Sequence, residues 1–230
     1  MTIAKKVILF MDIRNSSKLW SVYDNKILKC IKKIHKIIEN KLKKIPHAFI
    51  FKIVGDSFMI VFKNVLDSIK FSMDISKILT DKKTSIYLDS KKKDKITIRI
   101  GICYGNVNYF KTKVQNCQQI DYFGNIVNIA SRMETAVSPI NGFAIAFTED
   151  KENDIPKIQK LIEKDSKFSI KPLNLKKIKK IDKTERSGKL LHNLFFINEN
   201  LENLKGIKIN LKVLKVTNTE VTEEKSMSLF

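Results

Sequence analysis

Apolar and polar positions alternate along this chain at two periods, and the switches between them outline its elements. Val7–Ile13, VILFMDI, is a continuous apolar run that ends at a carboxylate, Asp12, and predicts a buried strand. Asn15, Ser16 and Ser17 follow with helix N-cap chemistry, in which a side-chain oxygen accepts from the first free backbone N–H groups. Between Leu19 and Leu42 the positions Ile27, Leu28, Ile31, Ile34, Ile38 and Leu42 recur at steps of three and four. That spacing predicts one long amphipathic helix, or two in series broken at Asp24-Asn25, ended by Pro46. Phe49–Phe62, FIFKIVGDSFMIVF, then places two apolar runs around Gly55-Asp56, the pattern of a β-hairpin with a tight turn.

The rest of the chain is read in the same way. Val65, Leu66, Ile69, Met73 and Ile78 predict a helix over Asn64–Thr80, and polar Asp81–Lys95 predicts an exposed loop. Ile96–Tyr104 alternates as a strand, Gly105-Asn106 predicts a turn, and Val107–Val114 is its expected partner strand. Asp121–Arg132 runs into a helix through Thr135, which Ser138–Gly142 breaks before a strand over Phe143–Thr148. Asp150–Lys164 is expected to be helical, with strands over Ile170–Ile181 and Leu190–Ile197. Residues 1–200 thus form one expected domain, and 201–230 an extension with an edge strand over Ile207–Val216 and a loose tail.

Strand, helix, strand, strand, helix, strand is the order of an α+β fold: a ferredoxin-like or palm-type antiparallel sheet with helices on one face. In that order the end of the first strand lies beside the hairpin tip, so Asp12 and Asp56 meet. Two readings of that pair stand on spacing alone. Asp12 can be a helix cap and Asp56 a turn former, or the two can hold a pair of divalent cations, since hard cations take oxygen ligands. Lys52 is a cation inside an apolar run and requires a partner if buried. Asn128 and Arg132 stand four apart and share a helical face.

Composition narrows the classes. A formal charge of +20 and a pI near 9.8 favour anionic partners such as nucleotides, nucleic acid or acidic membranes. The lysines are spread evenly, however, as a codon bias would spread them, so nucleic acid is not the expected partner. No run approaches the roughly 18 apolar residues of a membrane span, and no signal pattern is present, so a cytoplasmic protein is expected. Cys30, Cys103 and Cys117 lack metal spacing and are expected as reduced thiols. His35, His47 and His192 are scattered, which argues against zinc or Ser-His chemistry.

Four segments, FMDIRNSSKLW, FKIVGDSFMIVF, IRIGICYGNV and DYFGNIVNIASRME, resemble the signature blocks of class III adenylate and guanylate cyclase catalytic domains, in the family's order. The resemblance implies a residue-by-residue assignment. Asp12 and Asp56, with the Ile13 carbonyl, match the ligands of two Mg²⁺ or Mn²⁺ ions. Lys52 and Asp121 match the base-reading pair; Asn128 matches the ribose-orienting asparagine and Arg132 the arginine that stabilises charge on the reacting phosphate. A lysine donor and an aspartate acceptor complement adenine, so ATP is the implied substrate and cyclic AMP with pyrophosphate the implied products. Family members that use GTP carry an acidic residue and typically a cysteine at these positions.

Two positions depart from the pattern. Asn15 stands where the family commonly has glycine, and asparagine also tolerates unusual φ. The late phosphate-binding lysine is best matched by Lys176, without the usual following glycine. The resemblance further implies a homodimer with each site shared between chains, the aspartates from one and the base-reading and arginine residues from the other. A free-standing cyclase without an N-terminal sensor is expected. The rival readings are a guanylate or pyrimidine nucleotide cyclase and, in another class, a catalytically silent nucleotide- or nucleic-acid-binding module.

Overall fold

The computed structural model describes residues 2–89, 94–114, 117–137, 143–147, 155–165, 168–172 and 212–218. The chain runs β1 (Thr2–Ile13), α1 (Ser16–Tyr23), α2 (Asn25–Leu42), β2 (Phe49–Val54), β3 (Ser57–Phe62), α3 (Val65–Thr80) and β4 (Ile98–Val114). It continues with β5 (Cys117–Phe123), α4 (Asn125–Val137), β6 (Phe143–Phe147), α5 (Ile155–Glu163), β7 (Phe168–Pro172) and β8 (Lys212–Asn218). The strands form one sheet in the order β2-β3-β1-β4-β6-β8-β7, with β5 paired to β4. Every ladder is antiparallel except β4–β6.

The expected α+β class holds, and its core is built on both faces of β1. Val7, Leu9, Met11 and Ile13 pack with Ile27, Ile34 and Ile38 of α2 and Ile69, Phe71 and Ile75 of α3. Ile8 and Phe10 point the other way and pack with Ile126, Ile129, Ala130 and Met133 of α4. A strand covered on both faces reads as an unbroken apolar run, which is why VILFM does not alternate. The expectation of helices on one face holds for α2 and α3, while α4 covers the opposite one. Gly101 makes that possible: a Cβ there would sit 2.1 Å from Ala130 O and Glu134 N, so the α4 backbone lies directly on β4.

Several boundaries differ from expectation for identifiable reasons. Gly105-Asn106 is not a turn; β4 runs straight through it, because Gly105 and Asn106 pair with Lys6 and Lys5 of the extended β1. The partner strand of β4 is β5, from Val114↔Cys117 to Asn108↔Phe123. The 81–95 loop is anchored rather than wholly exposed, since Ile86 and Leu88 are buried in the main core and Tyr87 bridges Lys95. The expected edge strand of the C-terminal segment is β8, and it pairs with both β6 and β7, so it is interior. The strand expected over Leu190–Ile197 lies outside the described residues.

Asn15 occupies the N-cap of α1 in the left-handed region, φ 56°, where asparagine stands in for glycine. It makes no side-chain cap bond, contrary to expectation, since side-chain capping goes with extended rather than left-handed backbone at that position, and the neighbouring Ser16 side chain bonds Asp56. Asn64 does cap α3, its side chain accepting from Asp67 N at 2.9 Å. Cys30 and Cys103 are buried free thiols. Among the described residues no helix is long and apolar enough to cross a membrane.

Candidate active site

The first part of the site forms where β1 ends beside the β2–β3 turn. The pairing Met11↔Phe58 sets the register, and Gly55, with φ 61°, closes the two-residue turn that carries Asp56. Asp12 Oδ1 accepts from Ser57 Oγ at 2.7 Å, and Asp12 Oδ2 accepts from Arg99 Nη2 at 2.7 Å. Burial first, and then the Asp12 charge, push the Asp56 carboxyl up from its usual value. Bonds from the Ser16 side chain and from the backbone of Asp56 and Ile13 pull it down again. Asp56 Oδ2 is buried and has no hydrogen-bond partner.

A buried carboxylate oxygen without a donor, next to a second carboxylate, fits an oxygen-seeking divalent cation. It would neutralise the mutual repulsion and fill the missing contact. Among the described residues no group of three or more His, Cys, Asp or Glu forms a self-contained cage.

The second part is on the α4 face. Strict alternation would put Ile50 and Lys52 on the same side of β2, but a bulge between them shifts the register from Ile50↔Ile60 to Lys52↔Met59. Ile50 thereby packs against the α2–α3 core, while Lys52 faces the other way, as Met59 does. Lys52 Nζ meets Asp121 Oδ2 of β5 at 3.0 Å, with the two side chains 47% and 29% exposed. Asp121 Oδ1 also accepts from Tyr122 N at 3.0 Å, and Tyr122 packs edge-on against Phe51 with ring centroids 5.0 Å apart. Donor and acceptor are thus held side by side at a half-open position, roughly 10 Å along the strand from the turn at about 3.3 Å per residue.

Asn128 and Arg132 lie one turn apart on α4, whose buried side is Ile126, Ile129, Ala130 and Met133; Asn128 is exposed and Arg132 half-buried. The structure therefore joins Asp12 with Asp56 and Lys52 with Asp121, and places Asn128 and Arg132 together on a third element. Lys176 lies outside the described residues.

Sequence reasoning missed Arg99 and Glu134. Arg99 lies opposite Asp12 in the β1–β4 register and bridges it to Glu134, with Arg99 Nε 2.7 Å from Glu134 Oε1. At that distance the charges pair, although neither atom makes an aligned hydrogen bond. The signals were present. Arg99 is a lone cation in the Ile96–Tyr104 strand pattern, as Lys52 is in its own run, and Glu134 continues the buried 126, 129, 130, 133 stripe at helical spacing.

The chain is similar to the adenylate cyclase of Schizosaccharomyces pombe, at 23% identity over 199 residues; the match covers 81% of this chain and 11% of that protein's length. Its fold is similar to that of the guanylate cyclase domain of RhGC from Catenaria anguillulae, solved in complex with GTP. There the TM-score is 0.61 at 20% identity, covering 95% of this chain and 99% of the other. Adenylate cyclases of Trypanosoma brucei in their monomeric state give a TM-score of 0.62 at 14% identity, covering 92% and 89%. The family model described as the adenylate and guanylate cyclase catalytic domain matches residues 2–181, well over half of the chain, and the protein belongs to that family.

Proposed function

We propose that this cyclase acts on ATP, forming 3′,5′-cyclic AMP and pyrophosphate at sites shared between two copies of the chain. The observation that carries ATP over GTP is the Lys52–Asp121 pair, with Nζ and Oδ2 3.0 Å apart. Adenine presents a ring-nitrogen acceptor beside an exocyclic amine donor, the reverse of what the pair presents; guanine exchanges the two. Lysine has three donors and a carboxylate several lone pairs, so each group keeps capacity for the base after meeting the other. Guanine would leave both unpaired, which is the arrangement that discriminates strongly.

The reaction is attack of the ribose 3′-oxygen on the α-phosphorus, with the bond to pyrophosphate breaking. Asp12, Asp56 and the Ile13 carbonyl would hold two divalent cations, Mg²⁺ or Mn²⁺. Such ions, when bound, lower the pKa of the attacking hydroxyl and neutralise the triphosphate. Asn128 orients the ribose, Arg132 meets negative charge developing at the phosphate, and Lys176 binds the phosphate chain. Support for the dimer comes from apolar side chains left in the open on β2, β4 and β5: Ile53, Val54, Phe110 and Phe123, the last two stacked with ring centroids 4.9 Å apart. The test is to incubate the pure protein with each of the four ribonucleoside triphosphates and Mg²⁺ or Mn²⁺ and to identify the products. Cyclic AMP is expected from ATP. A preference for another triphosphate would refute the base assignment, and no cyclic product at all would leave a silent nucleotide-binding module.

A further inference from the structure

Glu134 is a carboxylate that the proposed chemistry does not use, and it is 6% exposed. It sits on the side of α4 pressed against β4, where its own backbone N lies at the contact that Gly101 permits. Its Oε1 is 2.7 Å from Arg99 Nε, and Arg99 Nη2 is 2.7 Å from Asp12 Oδ2. One guanidinium therefore joins a buried glutamate on α4 to an aspartate at the end of β1. Asp12 is engaged on both oxygens, by Arg99 and by Ser57, so any cation it binds competes with or shares those contacts.

The charge balance gives Glu134 its part. Arg99 divides its single positive charge between Asp12 and Glu134, so Asp12 is neutralised only in part. With Glu134 neutral, the guanidinium would face Asp12 alone, hold it harder and oppose an incoming cation with its whole charge. We propose that Glu134 is a positioning residue which, through Arg99, sets the affinity of the Asp12–Asp56 site for its divalent cation. This rests on the metal-site reading above.

The test is a Mn²⁺ titration of the full chain without nucleotide, following the paramagnetic resonance signal of the free ion. Glu134→Gln should weaken binding about tenfold or more, since partners behind a metal ligand are commonly worth 10–100-fold in affinity. The double variant Arg99→Gln/Glu134→Gln removes the guanidinium too and should return to within about threefold of the wild type, because neighbours that act as a unit are not additive. A glutamate that merely supported the fold would leave the double variant at least as weak as the single one. The proposal is overturned if Glu134→Gln binds like the wild type, or if the double variant is no stronger than Glu134→Gln. Should Glu134→Gln fail to fold, the double variant decides alone: affinity like the wild type supports the proposal, a tenfold loss refutes it. Asp56→Ala separates the two levels. If it leaves Mn²⁺ binding intact, the metal-site reading fails and this role with it; if it weakens binding while Glu134→Gln does not, only the role of Glu134 falls.

Discussion

Adding one methyl group at Gly101 should damage both stability and turnover, because the space it would occupy belongs to the backbone of α4. An ideal Cβ comes 2.1 Å from Ala130 O and Glu134 N and 2.8 Å from Glu134 Cα. Normal contacts to carbon begin at about 3.5 Å, so helix and strand must separate by about 1.4 Å. Overpacking costs about 1–3 kcal/mol where side chains can move aside. Here every obstacle is main chain, so about 3 kcal/mol is expected for Gly101→Ala, a fall in Tm of about 6–12 °C for a domain of this size. The same shift carries Asn128 and Arg132 on α4, and a misplacement of about 1 Å can cost about 10²-fold in rate. Denaturant unfolding and a cyclase assay on the refolded variant measure the two effects separately. A loss below about 1 kcal/mol with unchanged turnover would show that α4 does not rest on β4 as described.

Three further predictions address separate parts of the molecule. The double change Lys52→Glu/Asp121→Cys should move preference from ATP toward GTP, read as the ratio of kcat/KM values; unchanged selectivity would mean that the pair does not read the base. Asp56→Ala and Arg132→Ala chains, each inactive alone, should recover activity on mixing, because one shared site regains both residues. Heterodimers that form without regaining activity would refute the shared site. Tyr23 donates to the Asp94 carboxylate, which pushes its phenol up to about 12 from 10.0. The stabilisation from that contact is present in full below pH 10 and is lost as pH rises through about 12. Absorbance titration should accordingly lose a phenol titrating at about 12 in Tyr23→Phe, and a titration identical to the wild type would show that the contact does not form.

Much of the fold was legible because it rests on local patterns. The α1–α2 break at Asp24, the hairpin around Gly55 and the start of α3 after Asn64 each depend on residues within a few positions of one another. The misreadings came where distant pairing overrode a local signal. Gly105-Asn106 has turn chemistry, yet two more rungs of the β1 ladder keep it extended. Ile86 and Leu88 sit in a polar stretch, yet the main core buries them.

By itself, the sequence determined which residue types stand at the candidate site positions and which elements carry them, since spacing along strands and helices is a local property. The approach of Asp12 to Asp56 followed from strand order alone. The tertiary structure decided the rest. A bulge at Phe51, invisible in the alternation, turns Lys52 onto the α4 face where Asp121 waits. Register between β1 and β4 sets Arg99 opposite Asp12, and the close seat of α4 over Gly101 brings Glu134 to the other end of that guanidinium. Each of these contacts joins residues far apart in the chain, where no period along it can register them. Only the packing of two layers onto β4 brings them within bonding distance.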